Sequence, residues 1–178
     1  MGRYRLITRS DFDGLVCAMI LKELDMLEDI MFVHPKDMQD GMIDVNEKDI
    51  STNVPYLPGV YLAFDHHISE KGTKAVNYIN KPEAASAARV LYEYFGGASR
   101  LKISEELMNA VDKFDSAQYT MEDILNPKGW VMLSYLLDAR TGLGRFRNFR
   151  VTNYDLMMML LNYCPDHTID EVMRLPDV

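Results

Sequence analysis

Two neighbouring histidines that follow an aspartate could bind a metal ion in this chain. Asp65, His66 and His67 come directly after the apolar run 60–64, in a sequence that has four histidines in all. Imidazole and carboxylate groups together suit divalent transition metals. Successive strand residues point to opposite faces, but at the carboxyl end of a strand, where the chain leaves the sheet, both rings can reach one cleft. The alternative interpretation is a polar surface turn.

A second acidic group occupies an equivalent position earlier in the chain. Asp11 and Asp13 follow the strand-like run 4–8 and precede the apolar segment 15–24, which indicates a buried helix. One turn can aim both carboxylates at a common centre, and Gly14 would relieve crowding where the chain turns into the helix. A helix N-cap accounts for one aspartate. Two neighbouring carboxylates repel each other unless a cation or hydrogen bonds compensate.

Three further aspartates are candidate ligands. Asp49 lies a short loop upstream of the strand that ends at Asp65, and its two oxygens could point to two metals; the alternative is an ordinary turn residue. Asp112 and Asp115 are three residues apart and share one face if that segment is helical. Their apolar neighbours favour a partly buried carboxylate over a solvated helix face.

Short apolar strands that alternate with helices must position these residues. Strands are predicted over 4–8, 29–34 and 60–64, with a short strand or turn near 42–45. Helices are predicted over 15–24, 83–95, 104–115, 130–137 and 154–163. This alternation predicts an α/β fold with a mainly parallel, Rossmann-like sheet flanked by helices and a helical C-terminal part. The strand ends would then meet at one edge, where ligands gather in such sheets.

The chain divides into a predicted core over residues 1–120 and a helical extension of the same domain over residues 121–178. The sequence ends without a clear terminal element, so the chain could be a fragment of a longer protein; the alternative is a family member without a further domain. The net charge of −8 and pI of about 4.9 disfavour binding to long duplex nucleic acid or an anionic membrane. Without a signal peptide or a long apolar run, we expect a cytoplasmic protein. A homo-oligomer is compatible with these features.

With these residues, the first 120 residues of the chain resemble the DHH phosphoesterase family. This family includes exopolyphosphatases, family II inorganic pyrophosphatases, single-strand exonucleases and nucleases of very short RNA or cyclic dinucleotides. Segment 11–14 matches its first motif, Asp49 its second and segment 65–67 its third. Asp115, which a serine follows, matches the fourth motif better than Asp112, which stays a secondary candidate.

The resemblance implies a pair of Mn²⁺ or similar ions and hydrolysis of a phosphoester or phosphoanhydride bond. The substrate would be small or linear, as for an exopolyphosphatase or a short-nucleotide phosphodiesterase. The implied ligands are Asp11 and Asp49 for one ion, and Asp13, Asp49, His66 and Asp115 for the other. His67 would face the phosphate, and Asp65 and Arg9 are further catalytic candidates.

Two departures from the family bear on activity. The histidine that the family usually has in the first motif is replaced by Ile7 or Arg9, and a guanidinium has no lone pair for a metal. Arg9 could instead bind a phosphate, or the chain could hold one ion, or it could be a phosphate- or nucleotide-binding regulatory module with little turnover. His34 could supply the missing nitrogen; the alternative is an ordinary loop histidine. A nucleotide-binding fold of another kind is disfavoured, since Gly-x-Gly-x-x-Gly and P-loop motifs are absent.

The second departure is the absence of the Gly-Gly-Gly-His-like motif of the family's smaller substrate domain. A basic loop over residues 138–150 could replace part of it. Arg140, Arg145 and Arg147 are predicted to bind the substrate there, because arginines that alternate with aromatic residues suit anionic, base-bearing ligands. The alternative is an exposed loop that offsets the acidic surface.

Overall fold

The computed structural model describes residues 2–70, 72–138, 140–142, 148 and 150–178. Among these residues the sheet has five strands in the order β2-β1-β3-β4-β5, and every neighbouring pair is parallel. The strands are β1 (Tyr4–Arg9), β2 (Leu27–Val33), β3 (Asp49–Thr52), β4 (Leu62–Asp65) and β5 (Tyr78–Asn80). The predicted α/β fold with a parallel sheet is therefore confirmed. We call the edge where the strands end the carboxyl edge, and the opposite one the amino edge.

Helices flank the sheet and make up most of the C-terminal part. They are α1 (Phe12–Glu23), α2 (Pro35–Gln39), α3 (Ala87–Tyr94), α4 (Glu105–Asp115), α5 (Met121–Leu125), α6 (Gly129–Leu137), α7 (Asn153–Tyr163) and α8 (Ile169–Val172). None of the described helices is long and apolar enough to cross a membrane.

Helix α1 is the centre of the hydrophobic core. It is buried from Phe12 to Leu21, because it lies on the sheet while α3, α4 and α7 pack against it. A helix that is apolar all round is stable in water only when it is covered in this way. The burial fixes the start of α1, and with it the acidic turn, against the carboxyl edge.

The C-terminal helices pack on the same core. Leu133 of α6 and Leu156 of α7 belong to the hydrophobic cluster that contains α1. At the start of α7, the Asn153 amide donates a hydrogen bond of 2.9 Å to the Ser10 hydroxyl. Residues of the predicted extension therefore support the acidic turn, while the division at residue 120 stays a prediction.

The third strand lies later in the chain than predicted. Residues 42–45 form no strand, and β3 begins at Asp49 instead, between β1 and β4. All four residues of β3 are buried although three are polar. Two of the polar side chains have partners on β1: Asp49 binds Arg5, and the Thr52 hydroxyl donates to the Thr8 hydroxyl at 2.8 Å.

Candidate metal centre and phosphate pocket

Three side chains converge at the carboxyl edge in a way that suits a metal ion. Asp13 lies in the first turn of α1, His66 directly follows β4, and Asp115 ends α4. Each offers a ligand atom, and these atoms lie within 4.8 Å of one another, the one such group found among the described residues. The fold thus brings together three of the residues that the sequence analysis selected.

Asp13 is held rigidly at the start of α3. Its carboxylate oxygens accept hydrogen bonds from the Ala87 and Ala88 amides at 3.0 and 2.8 Å, where the helix dipole favours negative charge. Burial nevertheless raises the pKa of Asp13 well above its usual value, and the charges of Asp115 and Asp11 raise it further. A cation at this position would relieve both effects.

His66 presents a ring nitrogen to the same point. Its Nδ1 lies 3.3 Å from the Ala84 carbonyl, and a proton donated there would leave the lone pair on Nε2. Nε2 lies 2.7 Å from the Asp115 carboxylate but without the alignment of a hydrogen bond. Burial opposes the charged imidazole, yet the Asp115 carboxylate outweighs it and raises the pKa of His66.

These donors fit a divalent transition metal. Two ligand atoms bound to one ion at about 2.1 Å lie about 3 Å apart, close to the separation of the His66 and Asp115 atoms. One imidazole nitrogen with two carboxylates is a donor set for Mn²⁺, Fe²⁺ or Zn²⁺. The chemistry of the site therefore matches the predicted cofactor class without selecting manganese.

Aromatic packing places Asp115, rather than Asp112, in this group. Phe114 meets the Phe12 ring edge-on at 5.9 Å, which holds the end of α4 beside the start of α1. Asp112 instead binds Arg89 at 2.7 Å and accepts a hydrogen bond of 2.7 Å from Ser86. Asp112 therefore links α3 to α4.

Asp11 and Arg9 form an ion pair beside the metal group. Asp11 caps α1 by accepting a hydrogen bond from the Gly14 amide at 3.0 Å, and Arg9 Nε lies 3.1 Å from its other oxygen. Burial raises the pKa of Asp11 to about 6. A Cβ at Gly14 would lie 2.1 Å from the Arg9 carbonyl, so this close turn requires glycine.

His67 is oriented by Asp65 and lines a small cavity. Its Nδ1 lies 2.7 Å from Asp65 Oδ1, and the Tyr78 hydroxyl donates to Asp65 Oδ2 at 3.1 Å. The hydrogen bond to Asp65 raises the pKa of His67 and outweighs burial. This arrangement leaves Nε2 for a cavity of about 110 Å³ that Arg9, Asn53, Asp65 and His67 help to line.

Asn53 is a site residue that the sequence analysis missed. It follows β3 at the carboxyl edge, is 1% exposed and has a left-handed φ of 56°. Neither its amide nitrogen nor its amide oxygen has a hydrogen-bond partner in the part of the chain that the structure describes. Because buried polar groups are normally paired, Asn53 is free to bind a ligand in the cavity.

The prediction that Asp49 is a metal ligand is wrong. Asp49 begins β3 and therefore lies at the amino edge, paired in register with Arg5. Arg5 and Arg9 are four residues apart on β1, which separates the two edges by roughly 13 Å. Both Asp49 oxygens bind Arg5 at 2.8 Å, and the Asn46 amide donates to one of them. Asp49 therefore has a structural role, since it joins the loop that precedes β3 to Arg5 of β1.

His34 and Arg140 lie outside the metal group. His34 is exposed and caps α2, where its Nδ1 accepts a hydrogen bond of 3.1 Å from the Lys36 amide. Arg140 binds Asp138 at 2.6 Å, and the Arg140 guanidinium outweighs burial and lowers the pKa of Asp138. Arg145 and Arg147 lie outside the described residues, so their predicted role stays a prediction.

Comparison with known proteins relates the chain to a phosphodiesterase. No protein-family model matches the sequence, and no curated protein matches it. Among solved structures, the pGpG-specific phosphodiesterase PggH from Vibrio cholerae is 52% identical, with a TM-score of 0.91. The match covers 99% of this chain and 57% of the PggH chain. Nearly all of this chain is thus similar to somewhat more than half of a phosphodiesterase, in agreement with the predicted phosphoesterase relationship.

Proposed function

We propose that this chain forms the metal centre and phosphate pocket of a hydrolase that cleaves the phosphodiester bond of a short nucleotide. The observation that carries the proposal is the convergence of Asp13, His66 and Asp115 beside the cavity of His67. The similarity to PggH supports the same reaction class.

Asp13, His66 and Asp115 are the proposed ligands of a divalent cation of the Mn²⁺ type. When bound, such a cation supplies Lewis acidity, which polarises phosphoryl oxygens and favours ionisation of a water molecule. The protein contributes preorganisation, because Asp13 is fixed by two backbone amides and His66 is oriented by the Ala84 carbonyl. Such supporting contacts keep ligands in place for binding.

The cavity is the proposed phosphate pocket. Its volume of about 110 Å³ suits a phosphoryl group rather than a whole dinucleotide. Arg9 and His67 would donate hydrogen bonds to phosphate oxygens, and Asp65 would hold the His67 ring in the required orientation. During hydrolysis a water oxygen would bond to phosphorus while the bond to the leaving ribose oxygen breaks, and that oxygen would take up a proton.

The substrate we propose is pGpG, by analogy with PggH. This linear dinucleotide carries a terminal phosphate and one phosphodiester bond, so cleavage would give two molecules of GMP. The pocket would hold only part of it, and Arg140, Arg145 and Arg147 are proposed to bind the remainder. This chain is similar to 57% of PggH, and the rest of PggH could also contribute to its specificity. The proposal of pGpG as substrate therefore requires more evidence than the proposal of phosphodiester hydrolysis.

Two substrates test these claims separately. The purified chain with Mn²⁺ would be assayed on pGpG, by chromatography of GMP, and on bis(p-nitrophenyl) phosphate, a small diester that needs little further recognition. We expect turnover of both. His67→Ala should lower turnover on the order of 100-fold, since a charge-assisted hydrogen bond to the substrate is lost. His34→Ala is the matched control, because it removes an exposed histidine outside the pocket, and should change turnover less than twofold.

The outcomes separate three possibilities. Hydrolysis of the small diester without hydrolysis of pGpG would keep the reaction class and reject the substrate. Failure with both substrates, in protein that Mn²⁺ stabilises against heat, would overturn the proposal in favour of the binding module. Equal losses in His67→Ala and His34→Ala would contradict the role given to the pocket.

A further inference from the structure

We infer that the centre holds one divalent cation and that the Arg9 guanidinium takes the place of a second. The inference rests on the proposed function, because it specifies the metal site and the phosphate site of the same pocket.

The charges at the carboxyl edge balance one divalent ion. Asp13 and Asp115 supply two negative charges around His66, which matches one cation of charge two. Beside them, the charge of Asp11 is cancelled by Arg9 at 3.1 Å. Among the described residues, Asp65 is engaged by His67 and Asp138 by Arg140. This leaves little uncompensated charge to offset the desolvation of a second ion.

The carboxylate that a second ion would need is already paired with a guanidinium. One oxygen of Asp11 caps α1 through the Gly14 amide, and the other faces Arg9 Nε. The side chain at the carboxyl end of β3 is the neutral amide of Asn53, whose oxygen carries no full charge to attract a cation. Asp49 is at the amino edge and bound to Arg5. A second ion would have to displace the guanidinium.

Arg9 and Asn53 together can hold a phosphate that a second ion would otherwise hold. The Arg9 side chain is 44% exposed, and its guanidinium has donors beyond the Nε that faces Asp11. Asn53 lines the same cavity, is buried and has no partner among the described residues. One phosphate could accept hydrogen bonds from both side chains, and this would satisfy the Asn53 nitrogen.

Metal counting tests the inference without measuring turnover. Native mass spectrometry and elemental analysis at saturating Mn²⁺ should give one ion per chain for the wild type. Arg9→Ala/Asn53→Asp should raise the count to two, because it changes the local charge at Asp11 and Asn53 by two units. Arg9→Lys keeps the positive charge and should stay at one ion.

A matched control lies at the other edge of the sheet. Arg5→Ala breaks an arginine–aspartate pair of the same type far from the metal group, and should stay at one ion. As a second readout, inorganic phosphate should bind the Mn²⁺-loaded protein at least tenfold more weakly after Arg9→Ala, but not after Arg5→Ala.

The results distinguish this inference from the proposed function. No ion or two ions in the wild type would overturn it, as would one ion in the folded double variant. One ion without hydrolysis of either substrate would remove the proposed function and leave the inference standing. Two ions in a wild type that hydrolyses pGpG would overturn the inference and leave the proposed function standing.

Discussion

The same sheet carries two arginine–aspartate pairs, one at each edge. They differ in how many carboxylate oxygens the arginine contacts and in how exposed the arginine is. At the amino edge, Arg5 binds both oxygens of Asp49 at 2.8 Å, and Asp49 is 1% exposed. At the carboxyl edge, Arg9 meets one oxygen of Asp11 at 3.1 Å and its side chain is 44% exposed. The first pair is complete, whereas the second keeps donors available next to further buried carboxylates.

The two pairs contain the same residue types and differ in their position in the sheet: one is structural, and the other belongs to the proposed phosphate pocket. In a parallel sheet the strands end together, and the loops that follow carry ligands toward a common cleft. Within the part of the chain that the structure describes, no such convergence occurs at the amino edge. Its loop instead supplies the Asn46 amide, which adds to the hydrogen bonds around Asp49.

The largest difference should appear when one aspartate at each edge is changed to asparagine. Asp13→Asn removes a proposed ligand and should lower turnover on the order of 1,000-fold, a loss of about 4 kcal/mol of transition-state stabilisation. Asp49→Asn should leave turnover of the folded protein within twofold. It should lower the free energy of unfolding by about 2 kcal/mol, because Arg5 loses a charged partner but remains partly hydrated.

Paired measurements of turnover and urea unfolding check this prediction. Asp13→Asn should unfold at a lower urea concentration than the wild type although it relieves repulsion from Asp11 and Asp115, because an NH2 group replaces one of the two oxygens that accept hydrogen bonds from the Ala87 and Ala88 amides. Turnover is therefore compared per folded protein. If fully folded Asp49→Asn protein had no turnover, Asp49 would have a role in activity, and the proposal that only the carboxyl edge is functional would be wrong.

The sequence selected the three side chains that converge at the carboxyl edge because strong local signals mark them. Asp13 and His66 each follow an apolar strand, and the strand's end determines the edge on which they lie. Asp115 could be preferred to Asp112 from the family resemblance. Asp112 lies outside the metal group because it pairs with Arg89. This contact joins two helices and cannot be predicted from the local sequence.

The error at Asp49 came from the boundary of one short strand. β3 has four residues, three of them polar, so it lacks the apolar signal on which strand prediction depends. Its burial comes from its central place in the sheet, which is a tertiary property. Placing the strand too early in the chain moved Asp49 to the carboxyl edge and left Asn53, a neutral residue, outside consideration. Strand β5 was missed because it has only three residues, too few to show a strand pattern.

Glycine substitutions should separate a crowded turn from an open one. Gly14→Ala should lower the free energy of unfolding by about 3 kcal/mol, because its Cβ would meet the Arg9 carbonyl at 2.1 Å and the backbone would have to shift. Gly41, in the loop that leads to the amino edge, has a φ of 69° and open space around it. Gly41→Ala should cost about 1 kcal/mol from backbone strain alone. Urea unfolding checks both values; equal costs would show that the turn at Gly14 relaxes freely.

The smallest loss of turnover that we predict comes from removing one of the two hydrogen-bond partners of Asp65. Arg5 holds both oxygens of Asp49, but the oxygens of Asp65 are divided between His67 and the Tyr78 hydroxyl. Tyr78→Phe removes one of these contacts and should let the Asp65–His67 pair reorient. Supporting contacts of this kind contribute roughly 10-fold or more to activity, so we expect about a 10-fold loss of turnover with little change in stability.

Tyr56 provides the control for this change, because its ring stacks on Tyr78 at 5.0 Å while its hydroxyl binds Asn77. Tyr56→Phe alters the same aromatic pair without touching Asp65, and should change turnover less than twofold. Equal losses in the two variants would assign the effect to ring packing. A loss confined to Tyr78→Phe would show that the hydroxyl acts through Asp65 on the orientation of His67. The Arg5–Asp49 pair at the amino edge differs, because Arg5 itself contacts both oxygens of Asp49.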